Sequence, residues 1–218
     1  MADIGDAYAD IAYYEARNTS SVSVADASRL AEDLLAMSRA FDFECGLAPG
    51  TLNDVADVTL YLDGRGGVRL PFRDDAERLW LVRSITGIGI DSENDGTYDG
   101  VTLTLSDAWV VGYPANNAVV GKPYEGLELL TYLSTCTPSS WPKRPRAVRL
   151  QCTLGYETMP DQVKQVICAI TRELRDEFGA GAAQDYQRLD ESLPLTSQTW
   201  KQIARLKAEF SRRLPVVA

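Results

Sequence analysis

A run of acidic residues, DSENDGTYDG, begins at Asp91 and has the spacing of the first half of a calcium-binding loop. Asp91, Glu93 and Asp95 match ligand positions one, three and five of such a loop, and Gly96 matches the position where the chain turns sharply. Carboxylates at this spacing would offer oxygen ligands to a hard divalent cation. A complete site would indicate a calcium-regulated module or a metal-dependent enzyme.

The second half of the run does not complete such a site. Asp99 could serve at position nine, but position twelve, which needs a bidentate glutamate, is Thr102. The flanking segments 79–90 and 101–105 are rich in β-branched residues, so we interpret the run as a hairpin loop whose Asp, Asn and Gly residues suit turns. We predict no functional metal site at 91–99, and only weak, millimolar-range cation binding stays open.

Other carboxylates could in principle form an acid/base pair. They are Asp74 with Asp75, Asp190 with Glu191, and Glu173 with Asp176 and Glu177. All fall in predicted turns or on polar helix faces, where solvated charge is commoner. The chain has no histidine, which removes Ser–His and Cys–His pairs and the usual zinc sites, and no glycine-rich loop leads from a strand into a helix. We predict no catalytic residues and no cofactor, and we expect that the protein is not an enzyme.

The four cysteines lie far apart and never approach the spacing of a zinc or redox motif. They are Cys45, Cys136, Cys152 and Cys168. Cys45 and Cys168 fall on apolar faces of predicted helices, where a buried free thiol is the common finding. We therefore expect neither a disulfide framework nor a zinc site.

The formal net charge of −9 argues against a surface that binds nucleic acid by neutralising phosphates. Two clusters of positive charge interrupt this acidic background. The first contains Lys201, Arg205, Lys207, Arg212 and Arg213 against one acid, Glu209. The second contains Lys143, Arg144, Arg146 and Arg149. Each cluster is either a contact surface for an acidic partner or a solvated polar face.

The bulk composition is that of a globular protein. The chain has 218 residues, of which 45% are hydrophobic and 24% charged, and this fits one domain with a large insertion or two small domains. No apolar run approaches the roughly 20 residues that cross a bilayer. The first residues lack the basic end and apolar stretch of a secretory signal, so we expect synthesis and first use in a cytoplasm.

Helical periodicity occurs on both sides of a central β-rich segment. Four helices are predicted, over 8–17, 24–45, 160–178 and 197–213. Ser23 suits the N-cap of the second helix and Gly46 its end, while Pro160 suits the first turn of the third. The apolar stripes of the second and third helices are the nearest candidates to cover each other.

Between about 57 and 155 the hydrophobic period falls towards two, as in strands. Strands are predicted over 58–62, 68–72, 79–90, 101–105, 108–113, 126–133 and 147–156. The turn from Asp63 to Gly67 predicts a hairpin between the first two strands, and the proline-rich segment SSWPKRPR is expected to be a loop.

These elements predict an α+β protein. Residues 1–50 and 157–218 would form a helical base with helices near 24–45 and 160–178 and a C-terminal helix. Residues 51–156 would form an inserted antiparallel β-rich domain.

Several short motifs follow one another in order along the chain. The long helix ends in an aromatic-x-Cys-Gly step at Phe43 to Gly46, and a DGRG turn begins at Asp63. The later motifs are the strand Val68 to Pro71, the turn Asn94 to Tyr98, Asn116-Asn117, Pro123-Tyr124, the strand Leu127 to Leu130, Trp141-Pro142, the strand Val148 to Tyr156, and the helix start Pro160 to Lys164. This order resembles that in head-to-tail adaptor (connector) proteins of long-tailed double-stranded DNA bacteriophages, and the resemblance covers roughly 24–178. The serine-rich loop after the first helix and the basic stretch after Gly179 depart from it.

This resemblance implies a structural role without chemistry. Proteins of the family assemble as a ring, typically of twelve copies, under the portal of the filled head, where they extend the DNA channel and dock the next neck or tail component. The resemblance implies a virion protein of the neck, present in the host cytoplasm during assembly. Its partners would be its own copies, the portal protein and a head-tail stopper or tail component. An acidic lumen would let double-stranded DNA pass without sequence-specific binding.

Within this interpretation we expect the stretch 197–218 to dock on the portal, with aromatic anchors among basic residues that face an acidic surface. The expected contact residues are Trp200, Lys201, Arg205, Phe210, Arg212 and Arg213. Three alternatives stay open: another neck protein (a stopper or a tail-completion protein), a calcium-binding or adhesive β-module, and a carboxylate-dependent hydrolase.

Overall fold

The computed structural model describes residues 6–18, 21–98, 101–103, 105, 110–117, 121–130, 138–186, 188–189 and 192–211. Contacts between Cα atoms divide the chain into two compact units, Met1–Asn53 with Thr158–Ala218 (the helical unit) and Asp54–Glu157 (the β unit). In the described ranges the helical unit has four α-helices and the β unit has two antiparallel sheets. The protein therefore has the α+β class that the sequence predicts.

The four helices of the helical unit lie close to their predicted ranges. They are α1 (Ile11–Asn18), α2 (Val24–Cys45), α3 (Asp161–Phe178) and α4 (Ser197–Ser211), and a short 3-10 helix covers Ala182–Asp185. The carbonyl of Ser23 accepts the backbone N–H of Asp26 at 2.9 Å, so Ser23 is the N-cap of α2 as predicted. Gly46 ends α2 with φ 67°, a left-handed conformation that suits a residue without Cβ.

The apolar stripes of α2, α3 and α4 are buried within the helical unit. Their buried residues include Leu30, Leu34, Met37, Phe41, Val163, Ile167, Ile170, Leu174, Ile203, Leu206 and Phe210. Removing a Leu or Ile side chain of this size from water contributes about 1.5–3 kcal/mol. The helical period in the sequence therefore predicts these helices well, because burial of one stripe stabilises each of them.

Among the described residues of the β unit, seven strands form two sheets. They are β1 (Val55–Arg65), β2 (Arg69–Pro71), β3 (Val82–Ile90), β4 (Val101–Leu103), β5 (Val110–Tyr113), β6 (Gly126–Leu129) and β7 (Lys143–Leu154), with a short 3-10 helix over Ala115–Asn117. One sheet has the order β1-β7-β3-β4 and the other has the order β2-β6-β5. β3 and β4 form the hairpin that the sequence predicts around the acidic run, with Ile88 opposite Leu103.

The hairpin predicted across the turn from Asp63 to Gly67 is wrong. β1 continues through Arg65 and pairs with β7, whereas β2 pairs with β6, so the segment predicted as a turn begins inside β1 and leads to a strand of the other sheet. Buried Trp141 donates its backbone N–H to the Gly67 carbonyl and its Nε1–H to the Val68 carbonyl, both at 2.9 Å. These long-range hydrogen bonds hold the segment after the turn away from β1, and a local turn motif cannot predict them.

The prediction of a loop at SSWPKRPR is also wrong for the second half of this segment, because β7 begins at Lys143. Lys143 and Arg144 pair with Arg65 and Gly64 of β1. The ladder is irregular between this pair and Val148, where Pro145 lies. Proline has no backbone N–H to donate to a neighbouring strand. It is tolerated there because the irregular position does not need that hydrogen bond.

Candidate functional site

The partner-binding residues predicted on the last helix lie on two different faces of α4. Lys201 and Arg205 are exposed and Trp200 is half-buried. Phe210 is only 4% exposed and packs edge-to-face on Phe41 of α2, with ring centroids 6.2 Å apart. This burial corrects the expectation for Phe210, which belongs to the core of the helical unit and is not available as an anchor.

Arg212 and Arg213, the other two predicted contact residues, lie outside the described residues. The part of the positive cluster that the structure describes is therefore the exposed side of α4. Lys207 on this side forms an ion pair with Glu44 of α2, which leaves Lys201 and Arg205 as the described residues that could meet a partner.

The start of α4 is held by a carboxylate of α3. Glu173 accepts hydrogen bonds from the Thr196 backbone N–H at 2.7 Å, the Thr196 hydroxyl at 3.0 Å and the Thr199 hydroxyl at 2.7 Å. A negative charge at this end complements the helix dipole. Glu173, an acid/base candidate in the sequence, thus stabilises the fold, and its predicted neighbours Asp176 and Glu177 are exposed on α3.

Within the acidic run at 91–98, the side chain of Asp91 accepts hydrogen bonds from the backbone of the residues that follow it. Asp91 is 6% exposed, and its carboxylate accepts the backbone N–H groups of Asn94 at 2.6 Å, Asp95 at 3.3 Å and Gly96 at 3.2 Å. The guanidinium of Arg144 lies 3.4 Å away. Both carboxylate oxygens therefore face hydrogen-bond donors, which is the arrangement of a side chain that closes a turn.

The remaining acid candidates have similar roles or lie elsewhere. Asp74 accepts hydrogen bonds from the backbone N–H groups of Ala76 and Arg78 and from the Arg78 side chain, at 2.8–3.0 Å. Asp190 and Glu191 lie outside the described residues. Within the described part of the chain, no group of three or more His, Cys, Asp or Glu side chains could hold a metal ion.

The three described cysteines are buried free thiols, as the sequence predicts for Cys45 and Cys168. Burial raises the pKa of the Cys152 and Cys168 thiols to about 12 and moves the pKa of Cys45 upwards as well. Since the thiolate is the reactive form, none of the three suits nucleophilic or redox chemistry near neutral pH.

The arginines of the positive cluster at 143–149 lie in β7 and make two kinds of contact. Arg144 turns to Asp91, while Arg146 and Arg149 lie over tyrosine rings. The Cζ atom of Arg146 is 4.6 Å from the ring centroid of Tyr61, and that of Arg149 is 5.2 Å from the ring centroid of Tyr98. The two tyrosine rings contact each other, with centroids 5.6 Å apart. We call Tyr61, Tyr98, Arg146 and Arg149 the Arg–Tyr cluster.

Strand register brings the Arg–Tyr cluster together. Arg149 pairs with Tyr61 of β1 on one side and with Gly89 of β3 on the other. A Cβ atom on Gly89 would lie 2.9 Å from both the Cβ and the carbonyl oxygen of Tyr98, so only glycine lets Tyr98 lie across the sheet. Sequence reasoning found the arginines but missed both tyrosines, because their positions depend on pairing between distant strands.

Comparison of the chain with protein-family models, with curated proteins and with solved structures finds no match. The resemblance to phage adaptor proteins accordingly rests on the order of motifs in the sequence. None of the described helices is both long and apolar enough to span a membrane.

Proposed function

We propose that this protein is a head-to-tail adaptor of a long-tailed bacteriophage, a structural protein that forms a ring under the portal. The observation that carries the proposal is the order of motifs over 24–178. The aromatic-x-Cys-Gly step coincides with the end of α2 at Gly46, the first three residues of the DGRG motif form the end of β1, and the proline that opens the last family motif precedes α3. The ring would extend the DNA channel and dock a stopper or tail component.

Exposed apolar side chains of the helical unit support an assembly role. Val24, Phe43 and Phe178 are 94%, 43% and 53% exposed. An open groove of about 670 Å³ lies between the N-terminal segment and α2, with Ile11 and Leu35 in its apolar lining and three acids, Asp6, Asp10 and Glu32, among its other residues. In a ring, each copy would cover part of this surface on its neighbour through a heterologous interface.

The exposed side of α4 supports portal docking. Lys201 and Arg205 project from a helix whose opposite side is buried, and half-buried Trp200 lies beside them. Together with Arg212 and Arg213 they would meet an acidic portal surface. Positive charge of this kind mainly accelerates association and selects the partner.

A null mutant of the encoding phage tests the proposed function. We expect infected cells to accumulate heads that have packaged DNA and free tails that do not join, with complementation by the wild-type gene supplied in trans. Charge reversal of both Lys201 and Arg205 to Glu should complement poorly, while Lys143→Glu, at an exposed position of the β unit, should complement fully. Normal yields of complete virions from the null mutant would contradict the proposal.

A further inference from the structure

Two arginines of the β unit, Arg146 and Arg149, lie over aromatic rings. Within the described residues, no carboxylate lies within ion-pair distance of the guanidinium of Arg146 or Arg149. Arg69 in the same unit makes a comparable contact, 5.7 Å from the ring centroid of Tyr113, but it is also paired with Glu128 at 3.3 Å. The guanidinium N–H groups of Arg146 and Arg149 therefore remain available for an acceptor from outside the described chain.

The backbone of Arg146 is held in an unusual conformation. Its φ is 48°, in the left-handed region that disfavours side chains with a Cβ, and it lies at the irregular part of the β1–β7 ladder. Its N–H donates to Asp63 at 2.7 Å and its carbonyl accepts the Tyr98 hydroxyl at 2.8 Å. Strain of this kind persists only where the surroundings enforce it, and such places are concentrated at functional sites.

The cluster forms one accessible patch on the first sheet. Tyr61 is 44% exposed, Arg146 is exposed, and Tyr98 and Arg149 are half-buried. Tyrosine and arginine are the residue types that dominate the binding energy of protein interfaces, because they combine a rigid apolar body with directed hydrogen bonds. A guanidinium that is already held by a ring loses less freedom when it binds.

We propose that the Arg–Tyr cluster is a binding site for the carboxylates of an acidic segment of a partner protein. Arg146 and Arg149 each present a planar set of donors that matches a carboxylate bidentately. Tyr61 and Tyr98 fix the two guanidiniums and offer apolar contact to the partner backbone. This site stands on the geometry of the β unit and needs neither ring formation nor a portal.

The surroundings favour a protein carboxylate over a nucleic acid. Nucleic acid gains affinity when many cations along the surface release counterions from successive phosphates. Here the Arg–Tyr cluster has only two guanidiniums, in a chain of net charge −9, and the exposed carboxylate of Asp63 accepts the Arg146 backbone N–H at 2.7 Å. A long polyanion would meet this negative field, whereas a short acidic segment needs only the two arginines.

Fluorescence anisotropy of the full chain with fluorescein-labelled hexaglutamate at low ionic strength tests the site. We expect Arg146→Gly and Arg149→Gln each to weaken binding about tenfold, the typical effect of losing one charge-assisted pair. Arg146→Gly keeps the left-handed backbone that glycine tolerates, so it should not unfold the protein. Arg149→Lys should also bind weakly, because an ammonium lacks the planar fork.

Arg69→Gln is the matched control, since Arg69 already has a carboxylate partner; its affinity for hexaglutamate should equal that of the wild type. The urea midpoint of each variant verifies that it is folded. Undetectable hexaglutamate binding by the wild type would overturn the proposal, as would unchanged affinity in both Arg146→Gly and Arg149→Gln. Tighter binding of single-stranded hexathymidylate through the same arginines would overturn it in favour of a nucleic-acid surface.

Discussion

Asp91 has a structural role, because nearby backbone N–H groups point at its carboxylate. Its buried carboxylate accepts three backbone N–H groups of residues 94–96, so it orders the turn between β3 and β4. We expect Asp91→Ala to lower the free energy of unfolding of the β unit by about 1–3 kcal/mol, because buried N–H groups lose their acceptor. Urea unfolding measures this, with exposed Glu93→Gln as the control.

Calcium provides a second test of the same residue. Because donors surround the Asp91 carboxylate, we expect millimolar calcium to leave the thermal midpoint of the wild-type protein unchanged. A calcium-dependent rise that disappears in Asp91→Ala would show that the acidic run is a cation site after all, and would favour the alternative of a calcium-binding module.

Phe210 and Arg205 lie on opposite sides of α4 and should behave differently when they are changed. Phe210→Ala removes a buried ring that packs on Phe41, so we expect a loss of about 3–5 kcal/mol in the stability of the helical unit. Arg205→Ala should change stability by less than about 0.5 kcal/mol, since the side chain is exposed. Equal stability of both variants would contradict the buried placement of Phe210.

At the scale of elements, α2 and α3 are joined by a buried charge network. Arg175 of α3 lies 2.6 Å from fully buried Asp33 and also pairs with Asp26, both of α2. The backbone N–H of Gly181 donates to Asp33 at 3.0 Å. The apolar stripes predict that these helices pack together, but the sequence does not reveal the charge network, because the partners are 142 to 149 residues apart.

Removing Arg175 should leave the charge of Asp33 buried without its cation. We expect Arg175→Met to destabilise the helical unit by about 3–5 kcal/mol, and Asp33→Leu combined with Arg175→Met to recover part of that loss. Arg172→Met, at an exposed position on the same helix, is the control. If the double variant is less stable than Arg175→Met, the Asp33 carboxylate stabilises the protein more through its hydrogen bond from Gly181 than through the ion pair with Arg175.

The second sheet should be sensitive to alkaline pH through Tyr113 of β5. Burial raises the pKa of Tyr113 to about 12, whereas an unfolded tyrosine ionises near 10. Its contribution to stability is therefore complete below pH ~10 and is lost as the pH rises towards ~12. We expect Tyr113→Phe to reduce the fall in urea midpoint over this range, and an unchanged pH dependence would contradict this assignment.

Helices and strands differ in how far the sequence predicts them. Each helix is stabilised by its own periodic stripe and local caps such as Ser23 and Gly46, so bounds read from the sequence are close to those observed. The partner of a strand depends on distant residues: β1 pairs with β7, and Trp141 holds Gly67 and Val68. Tyr61 and Tyr98 could not be predicted as members of the Arg–Tyr cluster because the cluster also depends on the pairing of distant strands.

At the scale of the whole molecule, charge and exposed apolar surface argue for assembly with neighbours. We expect portal docking through the stretch 197–218, and deletion of that stretch would be a natural test. The deletion would remove Ile203, Leu206 and Phe210 from the core of the helical unit, so it would unfold the protein and not only the contact. Charge reversal at Lys201 and Arg205 avoids this problem because both side chains are exposed.

The central claim, that this chain is a building block of a ring, is tested most directly by the native mass of the purified protein, alone and mixed with the portal of its phage. We expect a closed assembly of about twelve 24.0 kDa chains in at least the sample that contains the portal. The 24.0 kDa monomer as the only form in both samples would contradict the claim.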